Sequence, residues 1–167
     1  MTTAHAQQAD GTITIQSQAL GEIEVELSAA LAFAEPMAGF PQCERYALIA
    51  HVRPDGGEDT AVAWLQALDA PFHAFVVTDP WVVVADYAPE ISDGDAEELG
   101  LTSFQDARVF GILTVPGTPK EMSINLRAPV VVNVAKQVAK QVVLLNDAYP
   151  TRHVLVPGDP AAAAQTS

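Results

Sequence analysis

Polar and apolar residues alternate with a period of two over much of this chain. In residues 21–27 the carboxylates of Glu22, Glu24 and Glu26 fall on one face and the apolar side chains on the other, which is the pattern of a half-buried β-strand. Other short segments are rich in Val, Ile and aromatic residues and are separated by turn residues, so they are also predicted as strands. They are residues 12–16, 46–52, 62–68, 72–77, 81–84, 108–115, 129–134 and 141–145.

One short helix is predicted at about residues 92–99. Ser92 is a typical N-cap residue, the acidic residues that follow suit the positive end of a helix, and Gly100 can end it in a left-handed conformation. A parallel doubly wound sheet would need crossover helices between the strands, and the pattern lacks them. The chain is therefore predicted to be all-β, an antiparallel sandwich or barrel with this single helix.

The charge of the chain narrows the choice of partners. Its 167 residues include 21 acidic and 8 basic side chains, for a formal charge of −13, and 18 of the acids lie in residues 1–119. Phosphate contacts need clustered Lys and Arg, so neither a nucleic acid nor an anionic membrane is predicted as a partner. The sequence also has no run of 18 apolar residues that could span a bilayer. A neutral or basic protein is the favoured partner.

The two ends of the chain differ in composition from the middle. Residues 1–10 and 156–167 are small and polar, so we predict a disordered head and a disordered tail around one folded domain of residues 11–155. The head lacks the basic and apolar regions of a signal peptide. The lone Cys43 cannot form an internal disulfide, which fits a reducing compartment. These features favour a cytoplasmic protein.

Motifs of the common enzyme classes are absent from the sequence. There is no G-x-S-x-G, Walker A, G-x-G-x-x-G, H-E-x-x-H or C-x-x-C pattern. The four histidines, His5, His51, His73 and His153, lack the spacing of metal ligands, and Cys43 is most simply a small buried side chain. We therefore predict no catalytic residue, no metal and no cofactor.

Three polar segments in the second half are candidates for interactions, because loops carry function more often than strands do. They cover residues 114–129, 136–141 and 146–153. In the first, Asn125 can instead make a turn hydrogen bond and Arg127 can be a solvated charge. The second is predicted as a hairpin tip whose two lysines aid solubility. The third can lock the last strand in place or supply Tyr and Arg anchors for an interface.

Together with other motifs, these segments resemble the FliW family of flagellar assembly factors. The order and spacing match from Gly21 through His153, and the combination is specific although no single motif is. This chain has M-A-G-F at residues 37–40, where the family usually has I-P-G-F, and its segment 134–139 lacks the usual polar and glycine character. The matching motifs are G-E-I-E, W-L-Q, F-V-V-x-D-P, D-Y-x-P-E-I-S-D, L-T-V-P, E-M-x-x-N-L-x-A-P-V-V-V-N, K-Q-V-V-L and Y-P-T-R-H.

The resemblance implies a non-enzymatic, single-domain β-barrel-like protein that binds flagellin in the cytoplasm. It also implies binding to CsrA, the RNA-binding translational repressor of flagellin. In the family's scheme, FliW free of flagellin captures CsrA, and accumulating flagellin frees CsrA again through an antagonism thought to be allosteric. The residues predicted to contact partners or to shape the interface are Asn125, Leu126, Arg127, Tyr149, Arg152 and His153.

Two other functions remain open at this point. The protein could be a flagellin chaperone that never binds CsrA, which would be expected where no such repressor is encoded. It could also be a small β-barrel that binds a small molecule, which requires an enclosed pocket with convergent polar groups.

Overall fold

The computed structural model describes residues 7–9, 11–37, 39–52, 58–114 and 122–155. Strands dominate this part of the chain, and its one α-helix, α1, spans Asp93–Leu99. The prediction of an all-β fold with one short helix is confirmed. The strands are β1 (Gln7–Ala9), β2 (Thr12–Ser17), β3 (Gly21–Glu26), β4 (Leu31–Phe33), β5 (Arg45–Val52), β6 (Glu58–Ala67), β7 (Ala74–Thr78), β8 (Ala107–Thr114), β9 (Ser123–Asn133), β10 (Val138–Gln141) and β11 (His153–Val154).

Seven strands close into a barrel. The order runs β10-β4-β5-β6-β7-β8-β9, and β9 pairs with β10 to complete the ring, while β11 adds to β9 outside it. The neighbours pair antiparallel except at one position. Strands β10 and β4 run parallel, with Val138 opposite Ala32 and Ala139 opposite Phe33. The predicted antiparallel barrel is therefore confirmed, and six of its seven pairings are antiparallel. The exception is the parallel closure, which joins strands about 100 residues apart.

A second, smaller sheet packs on the outside of the barrel. It has the order β1-β2-β3, with all pairings antiparallel. Its apolar face, which includes Ile13, Ile15 and Val25, packs against Ala47 of β5 and Phe72. The alternating pattern that predicted β2 and β3 is therefore the pattern of a sheet with one buried face and one face in water.

Side chains from all seven barrel strands fill the interior. Tyr46, Leu65, Val77 and Val130 are at most 1% exposed, and they belong to one cluster with residues of β4, β8 and β10. An interior filled by side chains in this way is a packed core. A third cluster covers the outer side of β8 and β9, where α1 and the segments around Tyr87 and Leu144 lie over the sheet.

Strand β9 is the longest in the described residues and connects several parts of the fold. Its first residues pair with β8 and β11, and its last residues pair with β8 and β10. The register between β8 and β9 shifts between Phe110 and Ile112. Gly111 lies at this shift, where a Cβ atom would come within 2.4 Å of the Ile124 side chain. The Ile124 side chain therefore packs over position 111, and this packing favours glycine there.

The predicted helix caps are confirmed. Ser92 Oγ accepts a hydrogen bond from the Asp95 N–H at 3.1 Å. Gly100 follows the helix with φ of +68°, and its N–H donates to the carbonyls of Ala96 and Glu97. These bonds satisfy backbone groups that a helix of two turns leaves without intrahelical partners.

Two predicted strands differ from the structure. Residues 81–84 were predicted as a strand, but Pro80–Val82 is a 3-10 helix in which the Asp79 carboxylate accepts from the Trp81 N–H at 2.9 Å. The cap and the proline favour this turn over a strand. The predicted strand 141–145 is also wrong in position, because β10 ends at Gln141.

The predicted disordered head and tail can be compared with the structure only at residues 7–9. Gln7–Ala9 lies inside the head that was predicted to be disordered, yet it pairs with Thr12–Thr14 as β1. The other residues of the head and the whole predicted tail, residues 156–167, lie outside the described residues. Two of the turn-residue segments that separate the predicted strands, residues 53–57 and 115–119, lie outside them as well.

Candidate protein-binding surface

The six residues predicted for interactions all lie on or beside the first half of β9. Asn125, Leu126 and Arg127 belong to β9. His153 begins β11 and pairs with Ile124 of β9. Tyr149 is held close by the bond from the Leu126 N–H to the carbonyl of the neighbouring Pro150, at 3.1 Å. The structure therefore brings together two polar segments that are separated in sequence.

Asn125 and Leu126 shape this region from within. The Asn125 side-chain oxygen accepts from the N–H groups of Arg127 and Ala128 at 3.1 and 2.9 Å, which is the turn interpretation that the sequence left open. Leu126 is 1% exposed, and its carbonyl accepts from the Tyr87 hydroxyl at 2.6 Å. A partner protein cannot reach Leu126 without opening the fold.

Tyr149 belongs to a small aromatic cluster. Its hydroxyl accepts from the Ala88 N–H at 2.8 Å, and its ring packs edge-on against Tyr87 with the centroids 4.6 Å apart. The Trp81 indole in turn donates to the Tyr87 carbonyl at 2.8 Å. Burial, with a smaller contribution from Tyr149, holds the pKa of Tyr87 well above its usual range, so its hydroxyl stays a donor. The cluster fixes the D-Y-x-P-E-I-S-D segment to β9.

The other three predicted residues reach the surface. Arg152 is exposed, whereas Arg127 and His153 are half-buried. The two arginines can form charge-assisted hydrogen bonds with a partner, and the histidine ring can take part in hydrogen bonds. Contact with a partner therefore remains a prediction for these three, and a shaping role for Asn125, Leu126 and Tyr149.

An exposed apolar pair lies next to these residues and was missed at the sequence level. Val142 and Leu144 are buried, whereas Val143 is 60% exposed and Leu145 is 64% exposed. The Val142 and Leu144 N–H groups donate to the carbonyls of Pro129 and Arg127 at 2.9 Å each, so the segment stays bonded to β9 beyond the end of β10. Its outer side chains are apolar, although this face meets water.

An open cleft of about 340 Å³ adjoins Val143. The loop after β4 forms one side of it and the end of β10 forms the other. Apolar side chains supply much of its wall, and Glu35 adds a carboxylate that is 67% exposed. The lining residues are Glu35, Pro36, Met37, Ala128, Gln141 and Val143. Exposed apolar surface next to a cleft is typical of protein-binding sites.

The position of Lys140 differs from the prediction that residues 136–141 form a hairpin tip whose lysines aid solubility. The turn covers residues 134–137, and Lys140 lies beyond it on β10 with its side chain only 10% exposed. Its ammonium lies 2.6 Å from Asp95, 3.0 Å from Glu98 and 3.5 Å from Glu35. Asp95 and Glu98 therefore hold α1 against the barrel. The sequence indicated only that acidic residues here suit the positive end of the helix.

The described residues offer little for catalysis or metal binding. They contain no group of three or more His, Cys, Asp or Glu side chains placed to hold a metal ion. Cys43 is buried, and burial followed by the charge of Asp69 raises the pKa of its thiol, which disfavours the reactive thiolate. His73 Nε2 lies 2.9 Å from the Tyr46 hydroxyl, and burial lowers the pKa of this histidine.

Comparison with known proteins gives the family. The profile of the FliW protein family matches residues 14–155. The chain belongs to the FliW family. It is 34% identical over 137 residues to the flagellar assembly factor FliW of Pseudothermotoga lettingae, covering 81% of this chain and 84% of that protein. It is 37% identical over 130 residues to the protein of the same name from Bdellovibrio bacteriovorus, covering 78% of this chain and 71% of that one.

A solved structure agrees with the sequence comparison. The crystal structure of a flagellar assembly factor FliW superposes with a TM-score of 0.75 at 30% identity and covers 86% of this chain and 97% of that chain. The FliW family is named for flagellar assembly, not for a catalysed reaction. Among the described residues, no helix is both long and apolar enough to cross a membrane.

Proposed function

We propose that this protein is a flagellar assembly factor that acts in the cytoplasm by binding flagellin and the translational regulator CsrA, without catalysing a reaction. The main support is the exposed apolar pair, Val143 and Leu145, beside an open cleft in a chain of the FliW family. Apolar surface of this kind suits an amphipathic segment of a partner, laid with its apolar face in the cleft.

Charge supports a basic second partner. An RNA-binding repressor must present basic side chains to RNA, and a protein of charge −13 attracts such a surface while it repels the RNA itself. In the proposed scheme, flagellin-free protein captures CsrA and relieves repression. Flagellin that accumulates in the cytoplasm then occupies the protein and releases CsrA.

The six sequence-predicted residues take two roles in this proposal. Arg127, Arg152 and His153 contact a partner, while Asn125 and Tyr149, with the buried Leu126, hold the surface in shape. Replacement of a contact residue should weaken binding and leave stability unchanged. Replacement of a shaping residue should lower both.

The direct test is retention of purified flagellin and purified CsrA by the immobilised chain. The double variant Val143→Glu/Leu145→Glu should lose at least tenfold in affinity for flagellin, because charge is placed on the apolar surface. Val134→Glu is the matched control, since Val134 is 51% exposed and lies in the turn before β10. Equal effects of both changes would contradict the assignment of this surface.

A competition experiment tests the switching step. Flagellin added to a preformed complex with CsrA should release CsrA, and a stable ternary complex would contradict exclusive binding. Retention of flagellin without any binding of CsrA would favour the chaperone alternative. The small-molecule alternative has little support, because the barrel interior is filled by side chains such as Tyr46 and Leu65.

A further inference from the structure

One edge of the small sheet has no neighbouring strand in the described residues. Strand β3 pairs with β2 on one side only. The Leu27 N–H donates to the Gly11 carbonyl at 2.8 Å, in register with the β2–β3 pairing. Because antiparallel strands alternate the direction of their backbone groups, Ile23 and Val25 bond to β2, whereas the N–H and C=O groups of Glu22, Glu24 and Glu26 face the open edge.

A groove of about 470 Å³ runs along this open edge. Residues of β3 and β5 line it and none of β2 does, which places it on the unpaired side of β3. Its apolar wall includes the half-buried side chains of Ile23 and Ile49, which pack between the small sheet and β5. The lining residues are Ile23, Glu24, Val25, Glu26, Ala29, Ala47, Leu48 and Ile49.

The backbone of β5 is also partly open at this groove. Strand β4 pairs with β5 only at Arg45 and Tyr46 among the described residues. The Phe33 N–H donates to the Glu44 carbonyl, so the backbone groups of every second residue from Glu44 onward point toward the β4 side of β5. The backbone groups of Leu48 therefore point to that side, beyond the last residue that pairs with β4. Within the described part of the chain, backbone groups of two strands therefore face the groove without a partner strand.

The charges on β3 determine what can dock there. Glu22, Glu24 and Glu26 are exposed on the outer face of the strand. A second copy of the chain pairing antiparallel through β3 would place these glutamates opposite one another, and like charges directly across a strand pair are destabilising. An incoming strand with basic residues at those positions is favoured. Its alternate residues point into the groove, where Ile23 and Ile49 favour apolar side chains.

We propose that the open edge of β3 is a docking site for an extended segment of a partner protein in which basic and apolar residues alternate. The segment adds as a fourth strand to the small sheet, as in other cases of β-strand addition. Its main-chain groups bond to Glu22, Glu24 and Glu26, and its apolar side chains fill the groove. The site uses none of the residues assigned above to flagellin binding.

The test uses the full chain and a capped seven-residue peptide with Lys at alternate positions and Val or Ile between them. The control peptide has the same composition, with the lysines and the apolar residues in two blocks. Binding is followed by fluorescence anisotropy and by hydrogen exchange. The alternating peptide should slow the exchange of the Glu22, Glu24 and Glu26 amides and leave the bonded amides of Ile23 and Val25 unchanged. Equal binding of both peptides would overturn the proposal.

Two matched variants separate a local contact from general charge attraction. Glu24→Lys should weaken binding of the alternating peptide about fivefold to tenfold. Glu97→Lys makes the same change of charge on the exposed face of α1 and should change binding less than twofold. Equal losses of peptide affinity in the two variants would show that net charge alone attracts the peptide. Pairing of two copies of the chain through β3 would also refute the proposed docking site. The Val143→Glu/Leu145→Glu variant should still bind the peptide, so this test can fail independently of the proposed flagellin binding.

Discussion

Replacement of Lys140 by Met tests how the helix is held to the barrel. The Lys140 ammonium lies within 3.0 Å of acceptors on Asp95 and Glu98 of α1, and 3.5 Å from Glu35 in the loop after β4. Methionine keeps most of the length of the side chain and removes the cation. The three carboxylates then lose the one positive charge they share in the described residues.

The size of the effect follows from the exposure of each partner. Asp95 is 17% exposed, whereas Glu98 and Glu35 are 50% and 67% exposed. Breaking a fully buried pair costs about 3–5 kcal/mol, and surface pairs contribute about 0–1 kcal/mol. The mostly buried Asp95 pair lies between these cases, so we expect Lys140→Met to lower the free energy of unfolding by about 2–3 kcal/mol. At this chain length the melting temperature should fall by about 4–12 °C.

Urea denaturation followed by tryptophan fluorescence measures this loss. Lys136→Met is the matched control, because Lys136 is exposed in the turn of the same hairpin and should change stability by less than about 0.5 kcal/mol. Hydrogen exchange should also speed up in α1 of the Lys140 variant. Equal stabilities of the two variants would refute the assignment of Lys140 as the main link between α1 and β10.

The pH dependence of this interaction has a defined sign. The hydrogen bond to Asp95, together with the neighbouring charges, holds the pKa of Lys140 above its ordinary value of 10.5. A raised pKa in the folded state contributes stability that is fully present below 10.5 and is lost as the pH rises through the folded value. The stability difference between wild type and Lys140→Met should therefore stay constant from about pH 7 to pH 9 and shrink only in more alkaline solution.

Three further predictions concern buried polar groups. Tyr87→Phe leaves the Leu126 carbonyl without its 2.6 Å hydrogen bond and should cost about 1–2 kcal/mol in urea denaturation; a smaller loss than for Tyr149→Phe would contradict this. Gln66→Leu removes a fully buried amide bonded to a serine hydroxyl and three carbonyls, and should lower the melting temperature by at least about 5 °C; an unchanged melting curve would refute it. Burial lowers the pKa of His73, so the contribution of this histidine to stability is present above its ordinary pKa of 6.5 and is lost as the pH falls. His73→Gln should therefore lose less stability than wild type between about pH 7 and pH 5. Equal losses would exclude His73 as the cause.

Local signals explain which elements could be predicted from sequence. The alternation of Glu and apolar residues in β3 depends only on one buried face, and the structure contains this strand almost as predicted. The helix was predicted from Ser92 and Gly100, whose capping bonds join residues within one turn. Patterns of this kind are encoded over a few residues, so no knowledge of distant contacts is needed.

Long-range contacts explain what could not be predicted. The parallel closure joins Ala32 to Val138, and no local pattern encodes a pairing over such a separation. Lys140 resembles a solvated lysine in sequence because its acidic partners lie in α1. The exposure of Val143 and Leu145 was hidden for a similar reason. A run of four apolar residues gives no period, and only packing shows which two face water.

Lys140 links the stability of the barrel closure to the proposed flagellin-binding surface. Glu35 is one of its acidic partners and also lines the cleft beside Val143. If the ion pair helps to position the loop after β4, a folded Lys140→Met variant should bind flagellin more weakly. The substitution itself removes no contact made by Val143 or Leu145. If binding is unchanged at a temperature where the variant is fully folded, the backbone bonds of Val142 and Leu144 to β9 suffice to hold the surface. The role of Lys140 would then be confined to stability.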